Sequence, residues 1–208
     1  SNVLQMLDDR DSRGPQPRQS AAACHSANFD PQGQRVLIPD LGADRVYVYD
    51  VHNADGRLSP APVPYYTAAP GSGPRHFAWH PNGHWCYLIT EMGATIDALD
   101  YNTSDGSMHP ICTVSTLPPD VQHGTLGSTA HVLCSPDGKF VYGSNRETGN
   151  AGDNTIVIYR VDQQTGELSY VANAPGVGIS PRNFAISPCG CWMLVAYVQA
   201  IPQAQSLI

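Results

Sequence analysis

Short apolar runs recur along the chain on either side of a polar four-residue motif, x-Pro-x-Gly. The motif stands in four similar segments: DPQGQRVLIPD from Asp30, HPNGHWCYLIT from His80, SPDGKFVYGSN from Ser135 and SPCGCWMLVAY from Ser187. The motif prolines are residues 31, 81, 136 and 188, so successive units are 50, 55 and 52 residues long. A period of this length with short apolar segments indicates a repeat protein built from short strands.

Each unit contains the same order of predicted elements. An apolar strand leads into the motif, a second strand follows it, and in the first three units a third strand follows, RVYVYDV, TIDALDY or TIVIYRV. An acidic turn with glycine comes next, and a looser, proline-rich stretch closes the unit. Four short antiparallel strands per unit are typical of a propeller blade. We therefore predict an all-β fold, a partial β-propeller of about four four-stranded antiparallel blades.

The pattern also predicts the limits of this propeller. Residues 1–13 are predicted to form an irregular N-terminal lead, residues 14–196 the partial propeller, and residues 197–208 an atypical tail, because VQAIPQAQSLI contains no third strand. A propeller that does not close leaves two blade edges unpaired, and unpaired edges favour pairing with another strand. We therefore expect that this chain can self-associate through its exposed blade edges.

Three histidines in GPRHFAWHPNGHWCYLITE (73–91) raise the alternative of a metal-binding helix. His76, His80 and His84 are four residues apart, which on a helix would place them on one face. Pro81 and Gly83 break any helix through this stretch. Arranged as strand, turn and strand, the three histidines do not share a face, so we predict no metal site here.

Composition and charge exclude several classes of function. The chain of 208 residues has a formal net charge of −7, 14% charged residues and no basic run, so it lacks the lysine and arginine cluster that nucleic acids require. No apolar run approaches the length of about 18 residues that a membrane span needs. Six unevenly spaced cysteines predict reduced thiols in a cytoplasmic protein. Cys189 and Cys191 are predicted to flank a tight turn rather than to form a metal or redox pair.

Repeat position predicts where polar side chains meet. The first strand of a blade lines the central channel, and the first two strands are antiparallel. The start of the first strand and the end of the second therefore lie at the same end of the channel. The candidate site residues at these two positions are His25, Arg75, His76, Glu91, His131, Asn145, Arg146 and Arg182. Arginines, histidines and a carboxylate that face one concavity suit an anionic small molecule.

Structural roles remain open for these residues. Arg75 and Glu91 are also placed to form an ion pair between neighbouring strands, and His25 to bond the backbone. Arg182 is placed to brace the adjacent loop, and the alternative for Arg146 is a solvated side chain on the protein surface. Their joint placement favours a site, because each structural alternative requires a separate coincidence.

Four stretches together resemble the lactonase family, which includes the propeller-type 6-phosphogluconolactonase and the carboxy-cis,cis-muconate cyclase. They are CHSANFDPQGQRVLIPDLGADRVYVYDV (24–51), GPRHFAWHPNGHWCYLITE (73–91), SPDGKFVYGSNRETGNAGDNTIVIY (135–159) and SPRNFAISPCGCWMLVA (180–196). The resemblance covers about residues 14–196, and GPRHF and CHSAN are its most specific parts. It implies a seven-bladed propeller type that requires no metal or other cofactor. The family's active site of one histidine, two arginines and one glutamate falls on His25, Arg75, Arg146 and Glu91.

The chain departs from the family pattern in several places. Full-length relatives have further blades before residue 14 and a closing segment after residue 196. Many relatives carry an acidic residue at the position of His131. The last unit also lacks the polar strand end that is expected after Val195 and Ala196.

The resemblance implies hydrolysis of a sugar-phosphate lactone, 6-phosphogluconolactone to 6-phosphogluconate, in the pentose phosphate pathway. Glu91 is expected to act as the general base, His25 as a proton donor or second base, and Arg75 and Arg146 as anion-binding groups. Because nearby arginines lower the pKa of a carboxyl group, His25 is the alternative base. The expected substrate contacts are His76, His131, Asn145 and Arg182. A muconolactone-type cycloisomerase and an inactive fragment serving as a binding module are the alternative functions.

Overall fold

The computed structural model describes residues 5–7, 13–119, 128–146 and 154–200, and these ranges consist mainly of antiparallel strands. Blade 1 contains β1 (Asn28–Phe29), β2 (Arg35–Asp40), β3 (Arg45–His52) and β4 (Arg57–Thr67). Blade 2 contains β5 (Pro74–Trp79), β6 (Trp85–Thr90), β7 (Thr95–Tyr101) and β8 (Met108–Ser115). Blade 3 contains β9 (Ser128–Cys134), β10 (Phe140–Arg146), β11 (Thr155–Val161) and β12 (Leu168–Pro175). Blade 4 contains β13 (Gly178–Ile186) and β14 (Met193–Ala200).

The predicted fold class is confirmed: every blade is an antiparallel sheet whose strands pair in chain order. The described residues hold one helical element, a 3-10 turn at Pro17–Gln19. Strand β14 continues to Ala200, beyond the propeller limit that the sequence predicts at residue 196. Of the predicted N-terminal lead only residues 5–7 and 13 are described, and residues 201–208 of the predicted tail lie outside the described residues.

Each x-Pro-x-Gly motif forms the tight turn between the first two strands of its blade. The four motif glycines have positive φ, from 67° at Gly33 to 74° at Gly83. In every motif the glycine N–H donates to the carbonyl three residues earlier, at 2.8–3.0 Å. Residues with a side chain rarely adopt this backbone conformation, so the turn requires glycine.

Blade 2 is buried on both faces because it lies between blades 1 and 3. Cys86 and Leu88 of β6 pack against blade 1, whereas Tyr87 and Ile89 pack against blade 3, and all four are fully buried. A strand with two buried faces needs apolar residues at successive positions. This explains why β6 is a continuous apolar run rather than an alternating one.

Polar side chains connect the turns of neighbouring blades. His80, just past β5, is buried, and its Nε2 donates to the Gly138 carbonyl of the next blade at 3.0 Å. His76 lies on β5 and His84 in the turn before β6, so the stretch folds as the predicted strand, turn and strand. These contacts fix the relative position of the blades whose strand ends carry the candidate site.

The outer side of blade 4 is apolar and exposed. In the described residues β14 pairs only with β13. Trp192, Leu194 and Val198 are 75%, 78% and 56% exposed. No helix in the described ranges is both long enough and apolar enough to cross a membrane.

We expect Gly138→Ala to destabilise the protein more than Gly33→Ala does. Both glycines have positive φ, so both substitutions carry a backbone cost of about 1–2 kcal/mol. A Cβ at Gly33 would meet nothing within 4 Å, but one at Gly138 would lie 2.4 Å from His80 Nε2. Displacing His80 would add about 1–3 kcal/mol. Urea denaturation of both variants measures the difference, and equal losses would contradict the proposed contact between blades.

Candidate active site at one end of the channel

Glu91 is the centre of a cluster of charged side chains. It directly follows β6, and its backbone N–H donates to the Gly73 carbonyl at 2.7 Å. Its side chain is 4% exposed. Oε2 accepts a hydrogen bond from Arg75 Nε at 2.7 Å and forms an ion pair with Arg146 Nη2 at 3.0 Å, and Oε1 forms an ion pair with Arg18 Nη1 at 2.8 Å. The carboxylate therefore joins blade 2, blade 3 and the segment before blade 1.

Arg75 reaches Glu91 from a β-bulge in β5. In the register of β5 with β6, Arg75 is an extra residue between the paired positions Pro74 and His76. A bulge interrupts side-chain alternation and redirects the extra residue. The guanidinium of Arg75 is buried, and its Nη1 also donates to the Ala130 carbonyl of blade 3. The bulge thus places a buried cation between two blades.

The same irregularity recurs at the equivalent position of blade 4. Arg182 is the extra residue of β13, between Pro181 and Asn183, and it stands six residues before its motif proline, as Arg75 does. In blade 3 the register of β9 and β10 shifts opposite Ser144. The bulge brings two neighbouring residues to the channel, although regular alternation would direct them to opposite faces.

Arg146 approaches Glu91 from the end of β10. Its Nη2 also donates to Ser128 Oγ at 2.6 Å and to the Thr129 carbonyl at 2.7 Å. The side chain is 11% exposed, and in the described part of the chain its buried Nε has no hydrogen-bond partner. Arg146 is therefore a fixed cation with one unused donor.

The surrounding cations keep Glu91 ionised. Burial by itself would raise the pKa of this carboxyl group. The charge of Arg146, the hydrogen bond and charge of Arg75, and the charge of Arg18 outweigh burial and lower the pKa from its ordinary value of 4.5. A carboxylate with a lowered pKa is a weak proton acceptor. This electrostatic environment favours Glu91 as the group that holds the arginines over Glu91 as general base.

Three histidine rings from neighbouring blades lie edge to face beside the ion cluster. The ring centroids of His25 and His76 are 5.3 Å apart, and those of His76 and His131 are 5.0 Å apart. Arg75 Nη1 can only donate, so the His76 Nε2 at 3.2 Å accepts. His76 then carries its proton on Nδ1 and donates it to His131 Nδ1 at 2.7 Å. One chain of hydrogen bonds therefore sets the tautomers of both rings.

All three histidines have lowered pKa values. Burial, followed by the charge of Arg75, lowers the pKa of His76 to about 3 and that of His131 to about 4. Burial and the charge of Arg75 also lower the pKa of His25 from 6.5. Within the described residues the buried Nδ1 of His25 has no hydrogen-bond partner. His25 therefore places a neutral imidazole at the site.

A cavity of about 400 Å³ opens next to these histidines, a volume that suits a small ligand. Arg182 lines it, is exposed, and makes no ion pair in the described ranges. The other lining residues come from blades 1, 2 and 4: His25, Arg75, His76, Asn183, Ala196, Tyr197 and Val198. The concavity thus combines an imidazole and guanidinium groups with an apolar wall.

The structure brings most of the predicted residues together. Arg75 and Arg146 both contact Glu91, and His25 lies against His76 at the cavity. His131 accepts a hydrogen bond from His76 and packs edge to face against Phe184, but it does not line the cavity.

Asn145 is placed differently from the sequence prediction. Its side chain is buried, and its Nδ2 donates to the Thr116 carbonyl at 2.6 Å and to Thr155 Oγ1 at 3.0 Å. Neighbouring residues of a strand point to opposite faces, so Asn145 points away from the face that Arg146 uses. This geometry does not support the predicted substrate contact and gives Asn145 a role in packing between blades.

Sequence reasoning missed Arg18 and left Tyr197 out of the candidate site. Arg18 lies in the 3-10 turn before the first repeat, where repeat position gives no information. Tyr197 stands nine residues after the last motif proline, at the strand-end position that Asn145 occupies in blade 3. Because ligand cavities are often lined by aromatic side chains, Tyr197 at this position indicated a residue of the cavity wall. In the described residues, no group of three His, Cys, Asp or Glu is arranged to hold a metal ion.

Known relatives match almost the whole chain. Residues 2–200 match the family described as Lactonase, 7-bladed beta-propeller. The chain is 37% identical to the 6-phosphogluconolactonase of Bacillus subtilis (strain 168) over 176 residues, which are 85% of this chain and 47% of that protein. It is 34% identical to the 6-phosphogluconolactonase of Formosa agariphila over 179 residues, or 86% and 48% of the two chains. The chain thus spans about half the length of the curated relatives it matches.

Solved structures give the same result. A Bacteroides fragilis protein named as a candidate 6-phosphogluconolactonase aligns with a TM-score of 0.81 and 32% identity, over 93% of this chain and 53% of that one. The periplasmic gluconolactonase of Pseudomonas aeruginosa aligns with a TM-score of 0.77 and 33% identity, over 87% and 48%.

We expect the protein to lose stability as the pH falls below 6.5. In the unfolded chain His131 takes up a proton near pH 6.5, whereas in the folded protein its pKa is about 4. The unfolded state therefore binds more protons in this window, and the free energy of unfolding falls as the pH decreases. His131→Asn removes this titrating group. It should therefore reduce the slope of the free energy of unfolding against pH by at most about 1.4 kcal/mol per pH unit, the contribution of one proton.

Urea denaturation at several pH values between about 7 and 4 measures this slope. The matched control is His84→Asn, because His84 is exposed. Identical slopes for wild type and His131→Asn would show that His131 is not held neutral by the fold.

Proposed function

Because this chain belongs to the lactonase family of seven-bladed β-propellers, we propose that its site hydrolyses the ester bond of a sugar lactone, with 6-phosphogluconolactone as substrate. The observation that carries the proposal is the neutral imidazole of His25, which lines a cavity together with Arg75, one of the guanidinium groups that Glu91 holds. Ester hydrolysis needs these two parts, a proton acceptor for water and fixed positive charge for the carbonyl oxygen.

His25 is the proposed general base. It takes a proton from water as the water oxygen attacks the lactone carbonyl carbon. When the ring C–O bond breaks, His25 returns this proton to the leaving ring oxygen, which becomes a hydroxyl group. Both oxygens of the Glu91 carboxylate are paired with guanidinium groups. This pairing supports His25 as the general base, rather than Glu91 as the sequence led us to expect.

Arg75 and Arg146 are proposed to stabilise the negative charge that develops on the carbonyl oxygen. Both are held in place before the reaction, Arg75 by Glu91 and Ala130, and Arg146 by Glu91, Ser128 and Thr129. Fixed donors need no reorganisation during the reaction, which is why such groups lower the barrier effectively. His76 and Arg182 line the cavity and are proposed to contact the rest of the substrate.

Charge supports an anionic substrate. The cluster contains the guanidinium groups of Arg75, Arg146 and Arg18 against the single carboxylate of Glu91, and Arg182 adds a further cation at the cavity. A phosphate monoester carries −1.5 to −2 charges near neutral pH. Such a group would offset the excess positive charge, as the sugar lactone alone would not.

A cytoplasmic location is proposed for the protein. None of its six cysteines is in a disulfide, and Cys24, Cys189 and Cys191 are exposed. Exposed thiols are typical of proteins that remain in a reducing compartment. A pathway of phosphorylated sugars, such as the pentose phosphate pathway, would supply the proposed substrate there.

Self-association of this chain is proposed at blade 4. The supporting observation is the exposed apolar surface formed by Trp192, just before β14, and by Leu194 of β14. We expect sedimentation velocity to show a species larger than a monomer for wild type and a shift toward the monomer for Leu194→Glu, because a charge on this face opposes its burial. A monomeric wild-type chain would contradict this proposal.

We expect His25→Asn to lower kcat on 6-phosphogluconolactone by about 10²–10⁴-fold through loss of the proton acceptor. Glu91→Gln should also lower kcat, because the arginines lose the charge that holds them. The matched control is Glu167→Gln, since Glu167 is exposed and lies in the turn between β11 and β12. Hydrolysis above the spontaneous rate is followed by acid release.

Carboxymuconolactone serves as the second substrate in this assay. Turnover of carboxymuconolactone alone would replace the proposed function with a cycloisomerase of the same family. No turnover of either lactone by the wild-type chain, or an unchanged rate in His25→Asn, would contradict the proposed mechanism.

A further inference from the structure

Arg18 differs from the other arginines at Glu91 in its exposure. Its side chain is 64% exposed, whereas those of Arg75 and Arg146 are 2% and 11% exposed. Arg75 and Arg146 share Oε2, and in the described ranges Arg18 is the one cation on Oε1. Two cations are therefore fixed parts of the site, and the third covers the remaining oxygen from the solvent side.

The backbone that carries Arg18 is firmly attached to blade 1. The neighbouring Gln19 is buried, and its Nε2 donates to the Leu41 carbonyl at 2.8 Å and to Asp44 Oδ1 at 2.7 Å. Asp44 Oδ1 also accepts from the Gly73 N–H at 2.9 Å, and the Gly73 carbonyl accepts from the N–H of Glu91. Hydrogen bonds thus connect the base of the Arg18 side chain to the backbone of Glu91.

The contact between Arg18 and Glu91 is weak enough to exchange. Water competes for the exposed guanidinium of Arg18, which weakens its ion pair with Glu91 relative to those of the less exposed Arg75 and Arg146. Glu91 keeps two buried guanidinium groups when Arg18 leaves, so its charge stays compensated. A dianion that arrives at the cavity would offer Arg18 more negative charge than the shared carboxylate of Glu91 does.

We propose that Arg18 is a substrate-binding and specificity-determining residue that moves from Glu91 Oε1 to the phosphate group of the substrate. The backbone anchor keeps the guanidinium within reach of the site, and the exposed side chain supplies the movement. The exchange uncovers Oε1, which then accepts a hydrogen bond from a substrate hydroxyl group. This role rests on the proposed function, and it adds selectivity for a phosphorylated over an unphosphorylated sugar acid.

Binding of stable products tests this role without turnover. Isothermal titration calorimetry of the full chain with 6-phosphogluconate and with gluconate should show tighter binding of 6-phosphogluconate. In Arg18→Gln the Kd for 6-phosphogluconate should rise about tenfold while that for gluconate stays unchanged, and Arg18→Lys should recover part of the loss. Arg57→Gln is the matched control, because Arg57 is 58% exposed and pairs with Asp55 away from the site.

Kinetics give a second readout that a merely structural role would not move. With 6-phosphogluconolactone, Arg18→Gln should raise KM and leave kcat nearly unchanged, because the lost contact is to a group outside the reacting ester. Equal losses for both products, an unchanged Kd for 6-phosphogluconate in Arg18→Gln, or no binding of 6-phosphogluconate by wild type would each overturn the role of Arg18. Selective binding without turnover would preserve it and refute the proposed function instead.

Discussion

The carboxylate of Glu91 is the interaction on which the candidate site depends. It is buried, and it compensates two buried guanidinium groups that come from different blades. Without it, Arg75 and Arg146 would be like charges placed close together in a poorly solvated environment, which is strongly unfavourable. The ion cluster also sets the state of the histidines, because the charge of Arg75 and burial together keep His76 and His131 neutral.

The blades can present these charges together because their cores hold them at fixed separations. Blade 2 packs apolar residues on both faces, so the ends of β5 and β6 are positioned by contacts with blades 1 and 3. The bulge at Arg75 then turns a side chain out of the regular alternation and toward Glu91. Packing and bulge together convert an ordinary antiparallel blade into a frame for a buried ion pair.

The site separates two chemical tasks between residues with different environments. Glu91 stays ionised because cations surround it, and it orients the guanidinium groups. His25 is neutral at pH 7 and lines the cavity, so it is suited to proton transfer. A buried carboxylate and a half-buried imidazole thus have different uses in one site, as a result of their neighbours rather than of their intrinsic pKa values.

The sequence by itself determined the four repeated units, the strands, the glycine turns and the group of Arg75, Glu91 and Arg146 at one end of the channel. These features follow from local patterns, because apolar periodicity and turn residues act over a few positions. Only the tertiary structure decided that Asn145 packs between blades, that His76 donates to His131 and that Arg18 reaches Glu91. Each of these contacts depends on strand register or on the approach of segments far apart in the chain, and a local pattern contains neither.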